Sequence, residues 1–322
     1  MTENSDPTGT PPPRVWVLGG ANLDIVAQTA APLALADSNP GHVHCAPGGV
    51  ARNVAHNLAL LGHRPALVSL LGDDVLGQSV WQATAAVGVD LRWCMQLPGA
   101  RSATYLSLHG PDGDMAVAVN DMDILEQLDA SRLTPLLAHM GHAQCCVLDA
   151  NLSPDALACL LGADLPPVLV DAVSSFKCLR LQPWLARIHT LKLNALEAQT
   201  LSGLEAHDGT GAEAAARALH SRGVRQLVVS LGADGVVWCD AQGHTGRRAA
   251  RSVPVVNTSG AGDALLAGLV HGQLQGWPLD QSVAWAMACS EITLQSPHAN
   301  APDLSLEALQ ACVASSNPSP SP

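Results

Sequence analysis

The stretch VVNTSGAGDALLAGL, residues 255–269, sets small residues and two glycines around one carboxylate, Asp263, before an apolar run. Gly260 and Gly262 let the backbone approach a ligand closely, and the amides of Gly260, Ala261 and Gly262 open a helix whose dipole adds positive charge. Such a nest suits the negative charge on a phosphoryl group in transfer. Asp263, at the same end, suits acceptance of a proton from an attacking hydroxyl. Helix punctuation accounts for the acid and the glycines separately. The order nest, acid, apolar helix, late in an alternating chain, favours a site.

Two other stretches bear on phosphate chemistry. In NALE, Asn194 and Glu197 lie three apart and share one helical face, where they can order metal-bound waters or close a capping box. In VSLGADGVV, Ser230, Gly232 and Gly235 sit at a strand-to-turn step that is, alone, an ordinary hairpin. A P-loop is absent: the chain has two lysines, Lys177 and Lys192, and neither follows glycine. LGGANLD lacks the third glycine of a dinucleotide fingerprint, which disfavours a nicotinamide oxidoreductase.

The elements that must position these residues alternate from end to end. RVWVLG, RPALVSLLG, CCVLDA, PVLVDA, IHTLKL, RQLVVSLG and GVVWC read as strands; 49–62, GQSVWQATAAVG, 211–222 and 262–275 read as helices. That alternation predicts an α/β fold with a mainly parallel sheet covered by helices on both faces. Two excursions break the rhythm. Residues 24–46 hold no good helix, and 102–119 hold two alternating strands around a Pro-Asp-Gly turn. Together, as about 24–46 and 100–122, they predict a small β-sheet lid able to close over a ligand.

At 322 residues, 48% apolar and 14% charged, the chain can bury a large core. A formal net charge of −12 without a basic patch argues against nucleic acid as partner. Nine scattered cysteines with no C-x-x-C pair read as reduced thiols in a cytoplasmic protein. Residues 1–13 and 315–322 read as disordered tails around a domain spanning 14–314, and no segment suits a membrane span.

NTSGAGDA and, two hundred residues earlier, PGGVARNVAHNLALLG together resemble the late and early motifs of the ribokinase-like carbohydrate kinases. The resemblance covers about 14–314. It implies a three-layer ribokinase-like domain with a β lid, and ATP-dependent phosphorylation of an alcohol with Mg²⁺. Asp263 falls on the family's catalytic base, and Gly260, Ala261 and Gly262 on its anion hole. Asn194 and Glu197 match the motif that organises magnesium and phosphate, Mg²⁺ being held through water. Ser230, Gly232 and Gly235 match the ATP wall, and the helix carrying Ser290 flanks the adenine. On the acceptor side, Asp24 matches the acid that grips vicinal hydroxyls, with Asn22, Gly48, Gly49 and Asn53 around it; an acceptor-only carboxylate can hold a cis-diol.

Within the family the resemblance runs closest to kinases acting on the 5′-hydroxyl of a uracil nucleoside. Ser38, Asn39, Ser102, Thr104 and Asn120 are the lid positions suited to read the base, Ser102 and Thr104 on one face and Tyr105 on the other. Ribose, another nucleoside or a sugar phosphate are alternative acceptors, and a nucleoside-binding regulator is a non-catalytic one. Asn257 replaces the Asp with which many members begin the late motif, which puts potassium activation in doubt. An exposed lid edge allows a homodimer.

Overall fold

The computed structural model describes residues 13–316. The segments read as tails lie outside the described residues except for residues 13, 315 and 316. The first half runs β1 (Val15–Leu18), β2 (Asn22–Thr29), β3 (Gly41–Gly48), α1 (Val50–Leu60), β4 (Pro65–Val68), β5 (Leu70–Gly72), α2 (Val75–Ala86), β6 (Met95–Leu97), β7 (Thr104–His109) and β8 (Met115–Asp121). Then follow α3 (Ala130–Met140), β9 (Cys145–Asp149), α4 (Pro154–Gly162), β10 (Val168–Asp171), β11 (Thr190–Asn194) and α5 (Ala195–Ser202). The last part holds α6 (Gly209–Ser221), β12 (Gln226–Ser230), β13 (Val236–Cys239), β14 (Thr245–Arg248), α7 (Ala261–Gln275), α8 (Leu279–Leu294) and α9 (Leu306–Ser316).

Eight strands form the main sheet in the order β14-β13-β12-β11-β10-β9-β1-β4. The six from β4 to β12 run parallel, and β13 and β14 add an antiparallel hairpin at one edge. Strand β1 shows why the sheet needs cover on both sides. Val15 and Val17 pack among residues of α1, α7 and α8, while Trp16 and Leu18 pack among residues of α3 to α6. A strand with both faces apolar is stable only between two helical layers.

RPALVSLLG, read as one strand, is two. Val68 pairs with Leu18 in the main sheet, whereas β5 leaves to pair with β6. The break falls at Ser69, a buried hydroxyl that donates to the Gly19 carbonyl at 2.7 Å. Satisfying that buried hydroxyl turns the chain out of the ladder.

The two excursions meet in a separate four-stranded sheet of order β3-β2-β7-β8. β2 pairs antiparallel with β3 and parallel with β7, so segments remote in sequence build one lid. All nine cysteines are free thiols. No helix among the described residues is long and apolar enough to cross a membrane.

Candidate active site

Asp263 stands in the first turn of α7. That helix is buried at every position from Ala264 to Gly272. Four of these side chains, Leu265, Leu266, Leu269 and Val270, are almost wholly out of water, anchoring the helix by on the order of 10 kcal/mol before entropy. The helix begins at Gly260, with φ 79° and ψ −9°, a left-handed conformation costly to a side chain; an added Cβ would also strike the Ala299 carbonyl. The amides of Gly262 and Asp263 have no partner within the helix. That of Ala261 reaches the Thr258 carbonyl only at 3.4 Å.

The carboxylate is held from one side. Asn53 Nδ2, from α1, donates to Asp263 Oδ2 at 2.8 Å, and Oδ1 makes no hydrogen bond among the described residues. Burial raises the Asp263 pKa to about 7; the charges of Asp171 and Asp149 add to the rise, and the Asn53 bond and Lys192 oppose it. An acid there is poised to exchange a proton near neutrality.

Behind the nest lies a charge that the sequence reading passed over. Lys192, in β11, is buried and pairs with Asp171 Oδ2 at 2.9 Å. A Cβ on Gly262 would fall 2.8 Å from Lys192 Nζ. Burial works against the lysine's charge, but Asp171, Glu197 and Asp263 outweigh it and lift its pKa above the ordinary value. Asp149, also missed, takes the amides of Gly20 and Ala51 on Oδ2, both at 2.9 Å, and so fixes the start of α1. Burial, with Asp171 adding, raises its pKa to about 6. The available signal was CCVLDA and PVLVDA: each ends a parallel strand in Asp, where ligands of open α/β sheets gather.

Four of the positions read as nucleotide-side residues come together, and Asn194 is not among them. Ser230, Gly232, Gly235 and Ser290 line one cavity of about 570 Å³ with Ala261 and Gly262 of the nest, and Met287 is on its wall. Ser290 Oγ donates to the Ala261 carbonyl at 2.8 Å, tying α8 to the nest. Asn194 and Glu197 make the capping box. Asn194 N and Nδ2 both donate to the Glu197 carboxylate at 2.8 Å, and Glu197 N donates to Asn194 Oδ1 at 2.9 Å. With both oxygens engaged and the side chain buried, Glu197 braces Asn194 and does not face the cleft as a ligand. Among the described residues no three His, Cys, Asp or Glu side chains cluster as a metal cage.

Among the residues read as acceptor-binding, Asn22 Nδ2 donates to Asp24 Oδ1 at 2.6 Å. Gly48, paired with Asn22 across β2 and β3, leaves the space that the Asp24 carboxylate fills. Burial raises the Asp24 pKa; Asn22 and Arg52 oppose it. Gly49 starts α1 against the Gly20–Ala21 backbone, where no Cβ would fit. Asn257 spends its side-chain oxygen on Ser259 N at 2.9 Å and its amide on the Pro297 carbonyl at 3.0 Å, closing the turn before the nest.

The lid corrects several expectations. Register pairs Asp24 with Tyr105, and Tyr105 with Asn120, so these three share one face. Thr104 pairs with Leu23 and Asp121 on the opposite face, away from Asp24. Ser102 precedes the strand and is buried. Its hydroxyl donates to Asp74 Oδ1 at 2.6 Å and accepts from Gly72 N at 2.9 Å, bracing the start of α2 rather than offering itself to a ligand. Ser38, exposed, and Asn39, half-buried, lie at the far tip, beyond Thr29, ~17 Å along the strand from Asp24. Asn39 folds back on Ala34 there. Neither joins Asp24 within the chain.

A nest at a buried helix start, an acid beside it, a cavity of nucleotide size on one side and a second acid under a lid on the other fit an alcohol phosphotransferase of the ribokinase-like fold. The pfkB family carbohydrate kinase profile matches residues 13–305, and the chain belongs to that family. It is 41% identical over 293 residues to pseudouridine kinase from Escherichia coli (strain K12), covering 91% of this chain and 94% of that protein. It is 37% identical over 292 residues to the uncharacterized sugar kinase YeiI of the same organism, covering 90% and 81%. The structure of Arabidopsis thaliana ribokinase complexed with ribose and ATP superposes with a TM-score of 0.82 at 20% identity, covering 94% of this chain and 98% of that one, which shows the shared fold.

Proposed function

We propose that this chain transfers the γ-phosphoryl group of ATP to the 5′-hydroxyl of pseudouridine. The observation that carries the chemistry is the α7 nest with Asp263 beside it, one carboxylate oxygen fastened by Asn53 and the other open. A bond forms from the 5′-oxygen to the γ-phosphorus as the bond to the β–γ bridging oxygen breaks. ADP leaves, and Asp263 takes the hydroxyl proton. The 260–263 amides steady the charge in flight, with Lys192 behind Gly262. ATP occupies the cavity lined by Ser230, Gly232, Gly235 and Ser290.

Mg²⁺ typically binds phosphates and keeps several waters, asking few protein ligands, and so fits a wall without an acid cage. Asn194, braced by Glu197, is the residue to hold such waters, and the ion supplies charge neutralisation of the phosphates. The engaged oxygen of Asn257 favours activity without potassium. Asp24, with Asn22, grips the ribose cis-diol, and Tyr105 and Asn120 on the same lid face read the base. The opposite lid face leaves Val43, Leu106, Val117 and Val119 exposed, and a homodimer would cover it. The cytoplasm is the expected compartment.

The substrate rests on the 41% identical relative and on the charge of the acceptor side. A sugar phosphate would need free cations. Arg52 is buried among its own partners, and Arg101 pairs with Asp121 at 3.1 Å. The test is an ADP-release assay across pseudouridine, uridine, ribose and fructose 6-phosphate. Pseudouridine is expected to give the highest kcat/KM; preference for uridine or ribose overturns the substrate and leaves the kinase standing.

A further inference from the structure

Asn53 can serve Asp263 only if its amide nitrogen, not its oxygen, faces the acid, and the neighbouring residue decides which. Arg52 is 3% exposed, and its guanidinium has donors only. Nη1 donates to Asn53 Oδ1 at 3.2 Å, to Asn300 Oδ1 at 2.6 Å and to the Pro47 carbonyl at 3.3 Å. Nε donates to Thr84 Oγ1 at 3.1 Å, and Nη2 meets His56 Nδ1 at 2.8 Å. Asn300 Nδ2 in turn donates to the Asn53 carbonyl at 3.1 Å and to Asn57 Oδ1 at 2.9 Å. Burial lowers the Arg52 pKa to about 10, with Asp24 opposing, so the group stays charged at neutral pH.

A guanidinium cannot accept and a carboxylate cannot donate. The Asn53 amide between them therefore has one satisfied orientation: oxygen toward Arg52, nitrogen toward Asp263. From this geometry we infer that Arg52 is a positioning residue for phosphoryl transfer, locking the Asn53 amide onto Asp263 Oδ2 so that Oδ1 is left for the incoming hydroxyl. Its bond to Pro47, near the end of lid strand β3, ties that orientation to the lid's root. The inference rests on Asp263 being the base.

The test is a double-mutant cycle on the full chain with ATP and the best acceptor of the panel, reading kcat, both KM values and melting temperature. Arg52→Lys keeps the charge but cannot reach this set of acceptors. It is expected to lower kcat by ~10-fold or more with the ATP KM within about twofold. In an Asn53→Ala background the same change should alter kcat by less than about twofold, because no amide remains to be oriented. An equal loss in both backgrounds, or no loss in the native one, overturns the proposal. Should Arg52→Lys fail to fold, Asn300→Ala removes the shortest acceptor of the same Nη1, and the same non-additivity with Asn53→Ala is required of it. Asp263→Asn is assayed alongside. If it is inactive while the cycle is additive, only the role of Arg52 falls; if it is active, the base assignment falls first.

Discussion

Replacing Asp263 by Asn should stabilise the empty enzyme above neutral pH while removing its activity. The carboxyl stands at about 7 against an ordinary 3.8, so the folded state holds a proton that the unfolded state has already released between those values. Stability from that proton is fully present below about pH 4 and lost as pH rises through 7. Three pH units at ~1.4 kcal/mol each set a ceiling of about 4 kcal/mol on the cost of charging Asp263 above pH 7. Solvent at the cleft mouth and local relaxation reduce this to roughly 2 kcal/mol. The variant keeps the bond to Asn53, since an amide oxygen can accept from Asn53 Nδ2. At ~2–3 °C for each kcal/mol, a melting temperature ~4–6 °C above wild type is expected at pH 8, shrinking to a fraction of that at pH 5. Differential scanning fluorimetry without ligands measures both. No gain at pH 8, or an equal gain at both pH values, refutes the electrostatic reasoning.

The same acid sets the pH profile: kcat/KM should fall about tenfold per pH unit below ~7 as the base is protonated, and a flat profile down to pH 5 would argue against it. Gly260→Ala should cost ~2–4 kcal/mol in urea unfolding, from the left-handed backbone and the Ala299 carbonyl together, and lower kcat with it. Gly48→Ala places a methyl where the Asp24 carboxylate lies, and should raise the acceptor KM by ~10-fold or more with the ATP KM unchanged. Lys192→Met leaves Asp171 buried and unpaired, so a loss of ~3–5 kcal/mol in chemical denaturation is expected; removing its pull on Asp263 should also move the acid limb of the kcat/KM profile upward.

Local chemistry was legible in the sequence; contacts between distant segments were less so. The 260–263 nest and the capping box of Asn194 and Glu197 each arise within one helix turn, where residue type and spacing dictate the outcome. The cluster of Asp149, Asp171 and Lys192 comes from three strand ends brought side by side by the parallel sheet. No local spacing encodes it. The face taken by Thr104 depends on register with β2, and in a strand one residue decides between two opposite faces. Ser102 was misread for a related reason: it lies two residues before β7 begins, where strand alternation does not apply. The stretch around Arg52 offers a cation near the acceptor residues but no sign of its partners. Only the packing of α1 against the 300 loop and α2 shows what its guanidinium holds.

The most direct test is a crystal structure with a non-hydrolysable ATP analogue and pseudouridine bound together. The terminal phosphate oxygens should lie ~2.7–3.1 Å from the amides at the start of α7, with the 5′-oxygen ~2.6–3.2 Å from Asp263 Oδ1. A terminal phosphorus bound away from that helix start, or a 5′-oxygen out of reach of Asp263, would contradict the proposed chemistry.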